Sequence, residues 1–262
     1  MKNNKVIDNL CLSLVYIFLF LPIIVLIIFS FNTSRLNIVF EGFTLRWYKE
    51  LFHNKVLLEA LFNTLIVAGI STFVSTVIGT ISAYGLKKYD FKGKKLINEL
   101  LYIPVIIPEI VLGISLLCIY SFLKLELGMF SLILSHIAFS IPFVIINVNG
   151  AIDGLNPHIE EAAADLGASK LTTFFKVILP SLVPGIVSGA GLAFTLSLDD
   201  VVISYFTAGP DSNTLPLQIF SMIKSGVTPD VNALITVLLM MIFTGIFVYT
   251  SVSLRSIRKG GV

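Results

Sequence analysis

Three carboxylates interrupt stretches of the sequence that are otherwise almost entirely apolar: Glu109, and the adjacent pair Asp199 and Asp200. On membrane-insertion scales an unpaired acid near the middle of a bilayer costs about 2.5–3.5 kcal/mol. Neither stretch contains a lysine or arginine that could neutralise it. Acids kept at such positions can line a polar path for a cation. They can also hydrogen-bond to neighbouring helices or to a companion subunit, and the sequence leaves both interpretations open.

The sequence lacks the motifs by which other residue types bind phosphate, act as nucleophiles or bind metal ions. The sequence contains no G-x-x-x-x-G-K-[ST] phosphate loop and no G-x-S-x-G nucleophile setting. Its histidines and cysteines, His53, His136, His158, Cys11 and Cys118, do not fall at metal-ligand spacing. His136 lies inside an apolar stretch and is predicted to be a hydrogen-bonded packing residue. We expect no catalytic residue, no cofactor and no metal site, so any energy must come from another subunit.

The composition is that of an integral membrane protein. Of the 262 residues, 56% are hydrophobic and 13% are charged, against about 25% charged in soluble domains. Six stretches are long enough to cross a hydrocarbon core of about 30 Å as helices. They run approximately over Leu10–Phe31, Leu57–Gly85, Leu100–Leu123, Phe130–Asn149, Leu182–Phe206 and Val231–Leu254. We predict an all-α polytopic bundle of six transmembrane helices, a single domain over 1–262, with a lipid bilayer and no nucleic acid as partner.

Spacing within these spans predicts how some of the residues are used. Gly185 and Gly189, four residues apart, form a small-residue face that favours close helix packing. Glu109 lies nine residues after Leu100, about 14 Å along a straight helix, which would place it near mid-membrane. Adjacent helical residues point about 100° apart, so Asp199 and Asp200 can face one cavity only if the helix is irregular there.

The distribution of lysine and arginine predicts the orientation. Five lysines fall between 87 and 95, and an inner position for this loop puts twelve of the 18 Lys and Arg residues on that side. Both termini are then cytoplasmic. One outer loop contains Trp47 and Tyr48 among charged residues, which favours a short interfacial helix with aromatics at headgroup depth. Another contains Leu215–Ile223, an apolar piece too short to span.

The loop between the fourth and fifth spans, residues 156–180, has the pattern of a short protruding helix. Asn156 is a favourable N-cap, and Glu160 and Glu161 would lie at the positive end of the helix dipole. Three alanines at 162–164 then give the helix a smooth face. Such an element suits docking into a groove of a partner.

Turn-forming residues follow this helix. Gly167 permits a sharp turn or a close approach to another backbone. Pro180 and Pro184 are predicted to break or kink the chain as it enters the fifth span.

At these residues the sequence resembles a known family. The segment EAAADLG at 161–167, with LP at 179–180, is similar to the EAA motif of ABC importer permeases of the MetI-like fold. Val177 stands where that family usually has isoleucine. The resemblance implies a type I importer permease core over about 57–254, whose EAA helix docks into a cleft of the ATPase subunit and transmits its closure. The coupling residues that it implies are Glu161, Ala162, Ala163 and Gly167.

A narrower resemblance covers three further segments. FTLRWYKELF (43–52), SLDDVVISYFTAGP (197–210) and TLPLQIFSMIKSGVTPDVNAL (214–234) are similar to the C-type subunits of spermidine/putrescine permeases. This implies polyamine uptake across a bacterial inner membrane. A polyamine, with its separated ammonium groups, would suit electrostatically the cation path for which Glu109, Asp199 and Asp200 are the candidates. It also implies three kinds of protein partner: ABC ATPase subunits, expected to be two, a homologous second permease, and an extracytoplasmic substrate-binding protein.

Other functions stay open at the level of sequence. A stand-alone secondary transporter would use the three acids as proton or sodium sites, but it predicts inverted repeats, and the two halves show no such similarity. An intramembrane enzyme would need a nucleophile–base or metal pair, which is lacking. Within the ABC class, the substrate could instead be another organic cation, thiamine, an iron complex or a sugar phosphate.

Overall fold

The computed structural model describes residues 2–35, 38–222 and 228–259, and the regular structure within them is helical. In chain order the helices are α1 Lys2–Phe29, α2 Arg46–Leu51, α3 Lys55–Lys88, α4 Lys94–Ile106, α5 Glu109–Phe122, α6 Met129–Asp153, α7 Ile159–Asp165, α8 Lys170–Thr173, α9 Leu179–Asp199, α10 Val202–Thr207, α11 Leu215–Ser221 and α12 Pro229–Lys259. A π-helical turn, Phe174–Ile178, joins α8 to α9. The predicted all-α class is confirmed for these residues.

Four helical stretches of the described chain are long and apolar enough, by length and composition, to cross a membrane. They are Asp8–Phe29, Lys55–Lys88, Met129–Asp153 and Lys170–Asp199. These match the first, second, fourth and fifth predicted spans, and the bent pair α4–α5 makes a fifth if it counts as one span. The sixth predicted span lies within α12, whose shorter apolar stretch is Pro229–Gly245. The polytopic architecture is confirmed, and the number six stays a prediction.

The third predicted span, Leu100–Leu123, is wrong as a single straight helix. α4 and α5 are bent by 114° at the break between them. A proline disfavours helical geometry in the residue before it, and Ile107, which precedes Pro108, is extended with φ −73° and ψ 137°. Pro108 is the N-cap of α5, so Glu109 is the first residue of a new helix. A mid-membrane depth for Glu109 no longer follows from a continuous rise.

The fifth predicted span, Leu182–Phe206, is also interrupted. α9 ends at Asp199, and Asp200 takes an extended conformation with φ −64° and ψ 126°. The next helix, α10, begins at Val202. The helix is therefore irregular at the two acids themselves. As argued from the sequence, Asp199 and Asp200 can face the same cavity only if the helix is irregular there.

The packing of α6 against α9 is the most extensive between any two of the described helices, and it depends on glycine. A Cβ added to Gly185 would lie 2.5 Å from the Cβ of Ala151 and 2.9 Å from the carbonyl oxygen of Asn147. A Cβ on Gly189 would lie 3.1 Å from the Cα of Val144. The predicted small-residue face is confirmed, and it brings the two backbones together.

The described residues divide into two compact units, one within Glu59–Phe220 and the other within Met1–Leu58 and Ser221–Val262. The three acids and the 156–180 loop belong to the first. A single transmembrane domain over 1–262 stays a prediction.

The short helix predicted around Trp47 is present as α2, and the apolar piece that begins at Leu215 also forms a short helix, α11. In α2, however, Trp47 is only 4% exposed and donates its indole N–H to the carbonyl oxygen of Asn32 at 2.5 Å. The Trp47 ring therefore packs against its own chain, and its location at headgroup depth stays a prediction. At the start of α11, the Leu215 N–H donates to the Thr64 hydroxyl at 2.7 Å. The last predicted residue of that piece, Ile223, lies outside the described residues.

We expect Gly185→Ala to lower the thermal midpoint of the detergent-solubilised protein, because overpacking a close helix contact costs about 1–3 kcal/mol. Gly191→Ala is the matched control in the same helix, since a Cβ there meets nothing within 4 Å. The control should be neutral or stabilising by up to about 1 kcal/mol, because alanine favours helix over glycine. Thermal unfolding of both variants measures the difference, and equal shifts would contradict the packing argument.

Candidate functional site

The two helix breaks bring the three predicted acids to one cavity. Glu109, Asp199 and Asp200 all line a cavity of about 260 Å³. The rest of its lining is apolar: Pro104, Val105, Ile107, Leu112, Phe139, Phe143, Leu196 and Ile203. We call this cavity the carboxylate pocket.

Glu109 and Asp199 are the unpaired acids of the carboxylate pocket. Both are exposed, and within the described residues neither carboxylate makes a hydrogen bond or an ion pair. Glu109 lies at the start of α5 and Asp199 at the end of α9, so both side chains emerge where a helix is interrupted. The pocket therefore presents two negative groups that no basic side chain neutralises.

Asp200 differs from the other two acids, because its carboxylate is buried and both of its oxygens accept hydrogen bonds from the protein. Its side chain is 5% exposed. One oxygen accepts the Ile203 N–H at 3.1 Å, and the other accepts both the N–H and the hydroxyl of Ser204 at 2.7 Å. These are the backbone donors that the first turn of α10 would otherwise leave unpaired. Asp200 thus caps the helix that follows the break.

A buried polar chain continues from Asp200 through His136. The His136 ring is fully buried, and its Nε2 lies 3.5 Å from the Asp200 carboxylate and 3.2 Å from the Ser204 hydroxyl. On its other side, Nδ1 lies 2.7 Å from the Ser197 hydroxyl, which is 3.3 Å from that of Ser71. The prediction of a hydrogen-bonded packing histidine is confirmed. Its position beside Asp200 was missed, because no spacing in the sequence relates α6 to the end of α9.

We expect Asp200→Ala to destabilise the protein by about 1–3 kcal/mol, because it leaves buried donors of α10 without an acceptor. Asp199→Ala is the matched control, since it removes the same group one residue earlier without removing a hydrogen bond. Thermal unfolding in detergent measures both variants. An Asp199→Ala loss as large as that of Asp200→Ala would contradict the assignment of capping to Asp200.

The 156–180 loop contains the predicted helix, with a later start than the sequence indicated. α7 covers Ile159–Asp165, and its N-cap is His158, so the assignment of the N-cap to Asn156 is wrong. Asn156 instead accepts the His158 N–H at 3.0 Å and tightens the turn before the helix. Glu160 and Glu161 lie in the first turn, as predicted, where their charge favours the helix dipole.

α7 has an inner and an outer face. Ala163 is 7% exposed, and Ile159 packs against the core cluster formed by α3, α6, α9 and the π-helical turn. On the outer face, Ala162 is exposed, and the Glu161 side chain is 75% exposed and lies 2.8 Å from the exposed His158 ring. Of the four predicted coupling residues, Glu161, Ala162 and Gly167 are therefore exposed, whereas Ala163 packs inward.

The turn predicted at Gly167 is present. Gly167 has φ +82°, in the left-handed region that favours glycine, and is exposed with no atom within 4 Å of where a Cβ would lie. Beside it, the Leu166 side chain is 89% exposed. The loop thus presents charged, small and apolar groups on one surface.

The chain then runs without a break from this loop to the carboxylate pocket. Lys170–Asp199 forms one helical stretch of 30 residues, about 45 Å long at 1.5 Å per residue. Pro180 lacks an N–H for an α-helical bond, and the π-helical turn before it accommodates this loss, with the Leu179 N–H bonded to the Phe174 carbonyl oxygen. The predicted disruption at Pro180 and Pro184 is therefore wrong as a break, because the helical stretch continues through both. The turn before Pro180 is widened instead, and Pro184 lies inside α9. No group of three or more His, Cys, Asp or Glu in the described ranges could hold a metal ion.

Comparison with known proteins gives three results that bear on this arrangement. A family model described as "binding-protein-dependent transport system inner membrane component" matches residues 75–256. This range includes the carboxylate pocket and the 156–180 loop.

Two curated relatives match most of the chain. The spermidine/putrescine transport system permease protein PotC of Escherichia coli (strain K12) is 44% identical over 230 residues, 88% of this chain and 87% of that protein. The putrescine transport system permease protein PotI of the same organism is 37% identical over 235 residues, 87% of this chain and 84% of that protein.

A solved structure of a bacterial ABC transporter for import of the acidic polysaccharide alginate contains a chain of similar fold. The TM-score is 0.74 at 17% sequence identity, over 96% of each chain. The similarity at this identity concerns the fold, and it agrees with the importer-permease fold expected from the 161–167 segment.

Proposed function

Because this chain belongs to the family of binding-protein-dependent transport system inner membrane components, we propose that it is a permease subunit of an ATP-driven ABC importer of spermidine and putrescine. The observation that carries the substrate class is the carboxylate pocket, where Glu109 and Asp199 are unpaired beside apolar side chains. The relatives named as spermidine/putrescine and putrescine permeases support the same class.

The chemistry of the carboxylate pocket matches that of a polyamine. Alkylammonium groups resemble the lysine side chain, which has a pKa of about 10.4, and they are charged at neutral pH. Two separated carboxylates can each accept hydrogen bonds from one ammonium group. The apolar lining suits the methylene chain between them, and Phe139 and Phe143 offer aromatic faces that attract cations. A neutral or anionic substrate would leave both acids without compensation.

In this function, Asp200 stabilises the helix break that forms the carboxylate pocket, and its own charge does not contact the substrate. Its oxygens are occupied by α10 and by the His136 and Ser204 side chains, so a substrate would have to displace internal bonds to reach it. Glu109 and Asp199 are accordingly the groups that would contact the cation.

Energy enters through the 156–180 loop. The exposed side of α7, with Glu161 and Ala162, would dock into a cleft of an ATPase subunit, and Gly167 would hold the turn beside it. The buried Ala163 would serve the same docking by letting α7 lie close to the body. The continuous helix from Lys170 to Asp199 supports this role, because a displacement of its first turn reaches the carboxylate pocket.

The same proposal specifies the assembly and its location. The chain would act as one transmembrane domain over 1–262, with six spans, in a bacterial inner membrane with both termini in the cytoplasm. A homologous permease would complete the path, two ATPase subunits would hydrolyse ATP, and an extracytoplasmic binding protein would deliver the substrate. The permease itself would catalyse no reaction.

We expect Glu109→Gln and Asp199→Asn each to lower the kcat/KM of spermidine uptake by about tenfold, the effect of losing about 1.4 kcal/mol of charge-assisted binding. Uptake of labelled spermidine by proteoliposomes that contain the whole transporter measures the effect. Glu126→Gln and Asp211→Asn are matched controls, because both acids are exposed and neither lines the carboxylate pocket.

Three outcomes of that assay would contradict the proposal at different levels. Unchanged uptake in both pocket variants would remove the acids from the path. ATP-dependent transport of a different substrate would remove the polyamine. Uptake that needs an ion gradient but no ATP would favour a secondary transporter.

For the coupling role, we expect Gly167→Ala to reduce spermidine uptake about fivefold or more, since a left-handed residue with a Cβ costs about 1–2 kcal/mol and would distort the docking surface. Adding Glu161→Ala should deepen the loss. Gly93→Ala is the matched control, because Gly93 has φ +93° and open space around it in another turn of the chain. Co-purification of the ATPase subunits and uptake are measured together. Equal losses in the two glycine variants would assign the effect to backbone strain alone.

A further inference from the structure

A cluster of three side chains ties α7 to the end of α3. The Tyr84 hydroxyl donates to one carboxylate oxygen of Glu160 at 2.9 Å, and the Lys88 ammonium pairs with the other oxygen. Lys88 also donates to the Tyr84 hydroxyl at 2.6 Å, so each side chain contacts the other two. We call this cluster the Tyr84–Lys88–Glu160 triad.

The triad is better protected than an ordinary surface ion pair. The side chains of Lys88 and Glu160 are 25% and 33% exposed, whereas those of the neighbouring pair Lys87 and Asp153 are 55% and 60% exposed. The Tyr84 ring packs against Phe174 of the π-helical turn, with 4.9 Å between ring centroids. The triad therefore joins α3, α7 and the π-helical turn at one point.

α7 depends on such contacts for its position. A helix of seven residues is too short to be stable alone, and its apolar anchor is limited to small or partly buried residues such as Ile159 and Ala163. Among the described residues, Glu160 is the α7 side chain that hydrogen-bonds to α3, one of the candidate membrane-spanning helices. A force applied to the outer face of α7 would thus reach α3 through Glu160.

α3 continues from the triad to the polar chain beside the carboxylate pocket. Ser71 lies thirteen residues before Tyr84, about 20 Å along the helix. Its hydroxyl is 3.3 Å from that of Ser197, which bonds to His136 beside Asp200. The triad thus begins a second route to the pocket, separate from the continuous helix that ends at Asp199.

We propose that the Tyr84–Lys88–Glu160 triad is a mechanical link that makes α3 follow the coupling helix, so that ATP hydrolysis and substrate passage stay in step. The inference rests on the proposed function, because it takes α7 as the element that the ATPase moves. Glu160, Tyr84 and Lys88 are positioning residues, and none of them contacts substrate.

The test uses the complete transporter in proteoliposomes and compares uptake with ATP hydrolysis. Glu160→Gln and Tyr84→Phe each weaken the link while keeping side-chain size. We expect the amount of spermidine taken up per ATP hydrolysed to fall about fivefold, the lower end of the range for coupling between sites. Assembly with the ATPase subunits should persist, because the outer face of α7 is unchanged.

Controls separate the link from charge or stability effects. Lys87→Met and Asp153→Asn break the exposed neighbouring pair, 2.5 Å long, which joins α3 to α6 and does not involve α7. They should leave uptake per ATP unchanged. The exchange of charges in Lys88→Glu with Glu160→Lys should recover part of the ratio that either single change loses, because it rebuilds the ion pair.

The outcomes distinguish this inference from the proposed function. If the Gly167 and Glu161 variants lose ATPase docking but the triad variants keep the normal uptake per ATP, the link is wrong and the coupling helix stands. If the triad variants lower uptake and hydrolysis in equal proportion, the triad only stabilises the fold and the inference is overturned. If the Gly167 and Glu161 variants also transport normally, the coupling role of α7 fails, and the link fails with it.

Discussion

A polar group taken into an apolar environment must find a partner within the protein, and this constraint governs the candidate site. A helix that stops inside an apolar region exposes N–H and carbonyl groups. At the second break, the Asp200 carboxylate accepts two of the N–H groups of α10, so the interruption is stabilised where it occurs. The break in turn lets Asp199 stand at an open helix end.

The two adjacent aspartates therefore have different environments, because the backbone conformation changes between them. Asp199 is the last helical residue and is exposed, whereas Asp200 is extended and buried. Burial of Asp200 is tolerated because its carboxylate accepts the Ile203 N–H and both the N–H and the hydroxyl of Ser204. Across the pocket, Pro108 is the N-cap of α5, so Glu109 lies at the start of a helix, whereas Asp199 lies at the end of one. Two breaks made by different means thus leave one unpaired acid each.

Local patterns predicted much of this architecture, and long-range contacts account for what they missed. The apolar stretches, the glycine face of α9 and the short helix after Asn156 are properties of neighbouring residues, so they can be read from spacing. The pairing of His136 with Asp200, and of Glu160 with Tyr84, joins elements more than sixty residues apart. The bend at Ile107 was also missed, because Pro104 and Pro108 can be read from the sequence but neither determines the angle between α4 and α5.

The π-helical turn fixes the phase between the two ends of one long helix. A residue inserted into an α-helix rotates everything beyond it by about 100° and advances it by about 1.5 Å. With the wide turn at Phe174–Ile178, the glycine side of α9 meets α6 while Phe174 still reaches Tyr84. If one residue were removed from this turn, the glycine side of α9 could still meet α6, or Phe174 could still reach Tyr84, but the two contacts could not form together. Chain length in this segment is consequently constrained more tightly than the identity of its exposed side chains.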